Sequence, residues 1–240
     1  MLMLRRGGKF TDSRIERHIW SGIIYIVLGV IVFIVVSSFL SMTIGMIAGA
    51  GIASQAVTSF KESGNWSRGK EGELAVAEAL KDLADEYVLL NDLVLPGGKG
   101  NIDHVVMGPN GLFVVETKNY STYVRCVGDD WFVGRKRISS LSKQAKRNAV
   151  ALRENLAAVF QDQRTRLPYV VPLLVFVGGS CRLSLRDPTI HVLRSSELSR
   201  FVARYNSAKA PSITSPELRR TIVHHLHLLQ PNPDKLAVNS

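Results

Sequence analysis

Residues 100–119 read GNIDHVVMGPNGLFVVETKN and carry the clearest strand pattern of the chain. Residues 101–107 and 112–118 are two strand-like runs, and the Gly-Pro-Asn-Gly segment between them has the composition of a tight turn. The stretch therefore predicts a hairpin of two adjacent strands. The second strand is continuously apolar up to Glu116, which is typical of a strand buried inside a sheet.

Three charged residues lie on this hairpin with the spacing Asp-x12-Glu-x-Lys, namely Asp103, Glu116 and Lys118. Because alternate residues of a strand point to one face, Glu116 and Lys118 project together. Asp103 and Glu116 stand at similar distances from the turn, so an antiparallel pair places them roughly opposite one another. Like charges that close repel unless a cation or a proton intervenes. The pattern therefore favours a metal site.

Carboxylates gathered at one point can hold a hard cation such as Mg²⁺ or Mn²⁺ through their oxygens. A lysine beside that cation can orient or activate a water, or neutralise developing charge on a phosphate. The pattern thus indicates metal-assisted hydrolysis of phosphodiesters. The plainer alternative is that Asp103 satisfies backbone groups at a bend while Glu116 and Lys118 form a solvated pair at a sheet edge.

Two further residues are candidates for the same site. Glu73, near the start of a helix that precedes the hairpin, is a possible third carboxylate, and an ordinary acid at a helix start is the alternative. Gln144, in the first turns of the long helix that follows the sheet, could reach the site, and a surface glutamine is the alternative. His104 should point to the face opposite Asp103.

The remaining periodicity predicts an α/β domain with a mixed sheet flanked by helices. Helices are expected at 67–85, 138–160, 195–205 and 215–229, and strands at 87–95, 101–107, 112–118, 123–127, 131–133, 169–177 and 189–193.

The N-terminal part predicts a transmembrane region. Residues 19–60 are 42 residues without Asp, Glu, Lys or Arg, and about 20 apolar residues suffice to cross a bilayer. The region forms either one span or a two-helix hairpin, and basic residues on both flanks favour the hairpin with both flanks cytoplasmic. The expected division is a basic segment at 1–18, the membrane region at 19–60, a linker at 61–66 and the domain at 67–240.

The formal net charge of +10 is compatible with nucleic acid or with anionic lipid as a partner. Basic residues cluster before and along the long helix, where they could follow a phosphate backbone or form a solvated helix face. These residues are Lys136, Arg137, Lys143, Lys146 and Arg147.

Over residues 69–160 the chain resembles the nuclease-related domain (NERD) family, a branch of the PD-(D/E)XK nuclease superfamily. The resemblance is carried by Gly69-Lys70-Glu71-Gly72-Glu73, by the ordered run at 100–119, and by Trp131 and Gln144. The membrane segment is a departure that the core motif does not need. No motif carries over after about residue 160.

The resemblance implies a restriction-endonuclease-like core. In that superfamily the acids that match Asp103 and Glu116 bind magnesium, and the lysine that matches Lys118 assists the attacking water. An acid that matches Glu73 often adds to the site, and Gln144 matches a position that recurs after the catalytic strand.

Together these expectations describe a Mg²⁺- or Mn²⁺-dependent nuclease at the cell membrane, with its domain in the cytoplasm and DNA as its substrate. RNA stays open as the substrate, and the oligomeric state is not predicted. One alternative is a non-catalytic, membrane-tethered module that binds nucleic acid or protein. Another is a membrane scaffold whose hairpin is the functional part.

Overall fold

The computed structural model describes residues 2–3, 9–96, 100–161, 169–206, 213 and 215–228. The chain divides into two compact units, residues 8–71 and residues 1–7 together with 72–240.

The smaller unit is a helical hairpin. Helix α1 spans Lys9–Phe39 and helix α2 spans Met42–Ala79, so the chain reverses at Leu40 and Ser41. Near the other end of the hairpin, the Ser21 hydroxyl donates a hydrogen bond to Ser59 Oγ over 3.4 Å. The two helices are therefore antiparallel neighbours within this unit.

Small residues allow the two helices to approach closely. A Cβ on Gly49 would lie 2.7 Å from the carbonyl oxygen of Gly29, and a Cβ on Gly45 would lie 2.9 Å from that of Phe33. A Cβ on Gly29 would in turn lie 3.1 Å from the Cβ of Ala53. The small-residue stripe of α2 is thus the face that contacts α1, as helices packed in lipid commonly arrange.

Two helical segments, Asp12–Phe39 and Met42–Asp82, are long and apolar enough to cross a membrane by length and composition. Many of their large apolar side chains are exposed within the unit, among them Phe39 at 82% and Ile47 at 75%. The end of the hairpin opposite the reversal carries charged residues, and there His18 Nδ1 lies 3.0 Å from Glu62 Oε2. An apolar surface of this extent suits lipid better than water.

The helix that the sequence placed from residue 67 begins instead at Met42, and residues 61–66 lie inside α2. The helix can continue through this polar stretch because it contains no proline, and each glycine costs only about 1 kcal/mol in a helix. Contacts of Glu62 and Trp66 with α1 also favour the helical state. The boundary between the two units falls after Glu71.

The larger unit contains two sheets, with helices packed against them. In chain order its elements are β1 (Leu2–Met3), the end of α2, a 3₁₀ turn (Leu80–Asp82), β2 (Val88–Val94), β3 (Asn101–Gly108), β4 (Gly111–Lys118), β5 (Tyr123–Val127), β6 (Asp130–Val133), β7 (Lys136–Ile138), α3 (Leu141–Gln161), β8 (Val170–Phe176), β9 (Arg182–Arg186), β10 (His191–Arg194), α4 (Ser195–Arg204) and α5 (Pro216–Leu228).

The six-stranded sheet has the order β1-β2-β3-β4-β8-β10 and is mixed. Strands β2, β3 and β4 are antiparallel, whereas β8 runs parallel to both β4 and β10. The mixed sheet with flanking helices is confirmed. The smaller sheet has the order β7-β6-β5-β9.

Alternation along β4 separates two apolar cores. Leu112 and Val114 pack into the core that contains α3 and α5. Phe113 and Val115 pack into the core that contains the end of α2 and α4. Strand β4 lies between β3 and β8 and is covered on both faces, which explains its continuous apolar run.

Three strands were not predicted from the sequence, namely β1, β7 and β9. The sequence assigned Ile138 to the long helix, but Ile138 ends β7 and the helix begins at Leu141. Ser140 is the residue that starts it, since its hydroxyl accepts a hydrogen bond from the Lys143 amide over 3.2 Å. The missed strands are two to five residues long and depend on pairing with distant partners, so local periodicity carries little signal for them.

Candidate active site

The register of the β3–β4 hairpin brings the two acids of the motif together. His104 pairs with Val115, and the pairs continue regularly toward the turn at Gly108 and Gly111. Extending this register by one residue sets Asp103 opposite Glu116. The sequence expectation of opposed carboxylates therefore agrees with the pairing of these strands.

Asp103 is half-buried, and its Oδ2 accepts a 2.7 Å hydrogen bond from the backbone N–H of Thr117. Burial raises the pKa of the Asp103 carboxyl well above its usual range, and the negative charges of Glu116 and Glu73 raise it further. Lys118 and the Thr117 N–H act in the opposite direction without cancelling this effect. Asp103 does satisfy a backbone group, as the plainer alternative held, yet it also lies in a strongly negative environment.

Glu116 is only 2% exposed, so it is not part of a solvated edge pair. Its Oε1 accepts hydrogen bonds from Lys118 Nζ at 2.7 Å and from Gln144 Nε2 at 2.6 Å. Its Oε2 accepts one from Asn148 Nδ2 at 3.1 Å. Three donors from two elements thus fix the orientation of this carboxylate, which a buried charge requires.

The pKa of Lys118 is raised above its ordinary value. Burial by itself lowers it, but the carboxylates of Glu116 and Asp103 together raise it by more. Lys118 is therefore held as an ammonium at neutral pH.

Helix α3 is fixed in place by the smaller sheet. Trp131 is fully buried and donates a hydrogen bond from Nε1 to Ser142 Oγ over 2.8 Å. Its ring stacks on Phe176, with 6.0 Å between the centroids. Trp131 therefore positions the first turn of α3, and with it Gln144, against the end of β4.

Sequence reasoning gave no role to Asn148, which is almost fully buried beside Glu116. It stands four residues after Gln144, so both side chains share one face of α3. A signal was present in the sequence, because two amides at this spacing on an otherwise apolar helix face are unusual.

Glu73 is half-buried near the site, close enough for its charge to raise the pKa of Asp103. The preceding Gly72 explains how the end of α2 that belongs to this unit comes this near. A Cβ on Gly72 would lie 3.0 Å from Asn119 Cβ and 3.3 Å from Thr117 Cγ2, so the helix contacts the strand end through a residue without a side chain.

His104 points away from Asp103, as expected, and is 1% exposed. Its Nδ1 lies 2.6 Å from Asn91 Oδ1 on the neighbouring strand, an arrangement in which the neutral ring donates. Burial lowers the pKa of His104 to about 3. The residue is a neutral core histidine and does not face the carboxylates.

The adjoining strand β2 carries a buried acid that the sequence did not single out. Asp92 lies between Asn91 and Leu93, which pair with His104 and Ile102, so its register position is opposite Asp103. It is 1% exposed and has a φ of 52°, in the left-handed region that aspartate adopts more readily than most residues other than glycine. Asn101 Nδ2 donates a 3.2 Å hydrogen bond to its Oδ1.

Two of the five basic residues expected to bind nucleic acid have acidic partners. Lys146 Nζ lies 3.2 Å from Asp129 Oδ2, and Arg137 Nη2 lies 2.5 Å from Asp130 Oδ1. The other three, Lys136, Lys143 and Arg147, are exposed.

The donor set suits a hard divalent cation. The Asp103 carboxyl feels the charges of Glu116 and Glu73 against that of Lys118, which leaves excess negative charge that a cation would neutralise. Glu116 Oε2 accepts a single hydrogen bond, and Asp103 Oδ1 accepts none from the residues described here, so each keeps lone pairs for a metal. Within the described part of the chain, no group of three or more His, Cys, Asp or Glu side chains converges as metal ligands. Two carboxylates are enough for Mg²⁺, which retains several waters.

Comparison with known proteins agrees with the sequence motif. Residues 68–177 match the family described as the nuclease-related domain, NERD. The match extends past residue 160, where the sequence motifs ended, and it includes β8 beside the catalytic strand candidate β4. No curated protein and no solved structure matches the chain. The resemblance to the nuclease-related domain family is therefore confirmed over residues 68–177.

Proposed function

We propose that this protein is a membrane-anchored, metal-dependent nuclease that hydrolyses phosphodiester bonds in DNA. The observation that carries the proposal is the opposition of Asp103 and Glu116 across the β3–β4 hairpin, with Lys118 bonded to Glu116. The nuclease-related domain over the same residues supports it.

Asp103 and Glu116 would hold Mg²⁺ or Mn²⁺ through their free lone pairs, and Glu73 adds negative charge beside them. A bound cation of this kind polarises a phosphate and lowers the pKa of water. Hydrolysis forms a bond from the water oxygen to phosphorus and breaks the ester bond, and the leaving oxygen takes up a proton.

The remaining residues position these groups. The Thr117 N–H fixes Asp103, while Gln144 and Asn148 fix Glu116. Since the pKa of Lys118 is raised, it acts as an ammonium that orients water and stabilises negative charge on the phosphate. A role for Lys118 as a base in this state is disfavoured for the same reason.

The substrate class rests on charge. The formal charge of +10 favours a polyanion, and phosphate contacts supply most of the affinity of proteins for nucleic acid. The resemblance to the nuclease-related domain favours DNA, and cleavage of RNA instead would assign the other substrate class.

Membrane anchoring rests on the hairpin α1–α2. Its apolar end lies at the reversal near Leu40, and its charged end carries the contact of His18 with Glu62. The start of α1 and the charged part of α2 lie at the same end of this hairpin, and both carry basic residues. This distribution favours two spans with both flanks cytoplasmic.

The nuclease proposal is tested with the full-length chain in detergent. Single- and double-stranded DNA and RNA are incubated with Mg²⁺, with Mn²⁺ or with EDTA. The wild type is compared with Asp103→Asn and Lys118→Met. The matched controls are Glu154→Gln and Lys81→Ala, which remove the same charges from exposed side chains elsewhere.

Cleavage that requires metal, persists in both controls and is lost in both site variants would support the proposal. Equal cleavage by all five proteins would refute the site. Binding of nucleic acid without cleavage under any metal would instead support the non-catalytic tethering module.

Topology is tested by cysteine labelling in intact cells. A membrane-impermeant maleimide should label Ser41→Cys at the hairpin tip and leave Glu154→Cys in the larger unit unlabelled. The native Cys126 and Cys181 are free but buried, and burial raises the pKa of each thiol, so they should contribute little background. Labelling of Glu154→Cys would refute a cytoplasmic domain.

A further inference from the structure

The smaller sheet has one covered face and one open face. Val124, Cys126 and Trp131 point into a core shared with the start of α3 and the end of β8, and all three are fully buried. The alternate residues of the same strands point outward, and Tyr123 and Arg125 are exposed. Nothing in the described part of this unit covers the outward face.

Strand pairing brings four arginines onto this open face. Arg125 on β5 pairs with Ser184 on one side and with Phe132 on the other, and Phe132 pairs with Arg137. Paired residues of a sheet share a face. By the same pairing, Tyr123 lies beside Arg182 and Val127 lies beside Arg186.

The charge of these strands is one-sided. Their seventeen residues include five basic side chains and a single acid, Asp130. Asp130 is paired with Arg137, whereas Arg125, Arg182 and Arg186 have no ion pair with any described residue. Three exposed guanidinium groups therefore remain available to an anionic partner.

Aromatic rings accompany the arginines. The Arg125 guanidinium carbon lies 4.2 Å from the centroid of the Phe132 ring, a cation–π contact that fixes its plane. Tyr123 is 43% exposed, and on the same face it adjoins Arg182 across the strand pair and Arg125 along β5. On such a surface an unpaired base can stack on the exposed ring while the arginines neutralise the phosphates of the nucleic-acid backbone.

The open face also stands near the candidate active site. Only five peptide steps separate Lys118 at the end of β4 from Tyr123 at the start of β5. Their Cα atoms are therefore no more than about 18 Å apart. A strand that crosses the open face could thus extend to the carboxylates.

Protection of sheet edges is a simpler reason for some of these arginines, since charged residues discourage edge-to-edge pairing. It accounts for Arg182 and Arg186 on the edge strand β9. It does not account for Arg125 on the interior strand β5, nor for the exposed Tyr123 beside it.

We propose that the open face of the smaller sheet, formed by Tyr123, Arg125, Arg182 and Arg186, docks single-stranded nucleic acid. The arginines contact phosphates and the Tyr123 ring stacks with a base. Its purpose rests on the proposed nuclease function, but the docking itself needs neither metal nor cleavage.

The test measures binding by fluorescence anisotropy with the full-length chain in detergent and EDTA, so that hydrolysis does not contribute. The probe is a labelled oligothymidine about twenty nucleotides long, with a duplex of equal length for comparison. The variant Arg182→Ala/Arg186→Ala is matched by Arg200→Ala/Arg204→Ala, which removes the same charge from exposed residues of α4.

Loss of two phosphate contacts should weaken oligothymidine binding about tenfold or more and reduce the slope of log K against log salt by about 1.4. Tyr123→Ala should weaken binding by roughly fivefold or more, whereas Tyr123→Phe should retain it, because stacking needs the ring and not the hydroxyl. The control pair should stay within about twofold of the wild type.

Equal losses in the β9 variant and the α4 control would overturn the proposal, because charge alone would then explain binding. Tighter binding of the duplex than of the oligothymidine would overturn the single-strand assignment. A parallel measurement in nanodiscs with and without phosphatidylserine covers the lipid alternative. If the β9 variant loses only its preference for the anionic nanodisc, the face binds lipid and the proposal fails. Lack of cleavage in the nuclease assay would leave these results unaffected.

Discussion

The side chain of Asn148 donates a hydrogen bond to Glu116, from Nδ2 to Oε2 over 3.1 Å, although 32 residues separate the two in the chain. The contact ties helix α3 to the buried carboxylate of the sheet. It places Asn148 in the role of a positioning residue, because it acts through the candidate metal ligand Glu116.

Replacement of Asn148 by alanine should lower metal-dependent cleavage about 10- to 100-fold and raise the Mg²⁺ concentration needed for half-maximal activity. The physical reason is that Glu116 loses its donor at Oε2 and can rotate. Asn155→Ala is the matched control, since among the described residues the Asn155 side chain bonds only the Ala151 carbonyl of its own helix. An unchanged Mg²⁺ requirement in Asn148→Ala would exclude the positioning role.

Asp103→Asn should stabilise the metal-free protein while it abolishes cleavage. The raised pKa of Asp103 means that its ionised form is disfavoured in the fold, so removal of the charge relieves repulsion from Glu116 and Glu73. A gain on the order of 1 kcal/mol corresponds to a rise of about 2–4 °C in Tm for a chain of this size.

The same melting experiment tests metal binding without an activity assay. Mg²⁺ should raise the Tm of the wild type, because a ligand that binds only the folded state stabilises it. It should leave the Tm of Asp103→Asn unchanged. An equal Mg²⁺ effect on both proteins would place the metal elsewhere.

Acidification should destabilise the protein through His104. Its pKa is about 3 in the folded chain against 6.5 for an ordinary histidine, so the unfolded state binds the proton more tightly. The stabilisation is complete above pH 6.5 and is lost as the pH falls from 6.5 toward 3, at about 1.4 kcal/mol per pH unit.

The measurement is the free energy of unfolding of the wild type and of His104→Gln at about pH 7.5 and pH 5, where the two proteins should differ in pH dependence by about 2 kcal/mol. Asp103 acts in the opposite direction, since its raised pKa favours the fold at low pH, but it is present in both proteins and cancels. Identical pH dependence would mean that His104 is not buried as a neutral ring.

Gly72→Ala should lower stability and cleavage together, while Gly69→Ala should be neutral or stabilising. A Cβ at Gly72 would meet Asn119 and Thr117 at 3.0 and 3.3 Å, whereas no described atom lies within 4 Å of one at Gly69. Alanine at position 69 should gain up to about 1 kcal/mol of helix propensity. Thermal melting and a cleavage assay compare the two variants. Equal changes in Tm and in cleavage rate for Gly72→Ala and Gly69→Ala would argue against a close approach at Gly72.

Gly49→Leu should separate the two helices of the hairpin, whereas Gly51→Leu should not. A Cβ at Gly49 would lie 2.7 Å from the Gly29 carbonyl oxygen, but Gly51 has open space around it in the described structure. A Ser21→Cys/Ser59→Cys pair reports on packing, since the two native hydroxyls are 3.4 Å apart and the cysteines should form a disulfide. Efficient crosslinking in the Gly49→Leu background would contradict this packing.

The hairpin of the candidate site could be predicted because its signals are local. Gly108 and Gly111 fix the turn, and the period of two then assigns Val114 and Glu116 to one face and Val115 to the other. The apolar composition of residues 19–60 was compatible with one span or with a two-helix hairpin, so composition alone did not predict the break between α1 and α2 near Ser41. The composition of 61–66 gave the wrong start for the following helix, because polar residues continue a helix as readily as they form a linker.

Three features could be predicted because each follows from spacing along a continuous segment. They are the β3–β4 hairpin, the opposition of Asp103 and Glu116, and an apolar region long enough to cross a membrane. Three other features could be seen only in the folded chain. They are the contact of Asn148 with Glu116, the approach of Gly72 to the end of β4, and the open face that arginines of β5 and β9 share. These relationships join residues far apart in the chain, and their geometry depends on how helices and sheets pack, which no local pattern encodes.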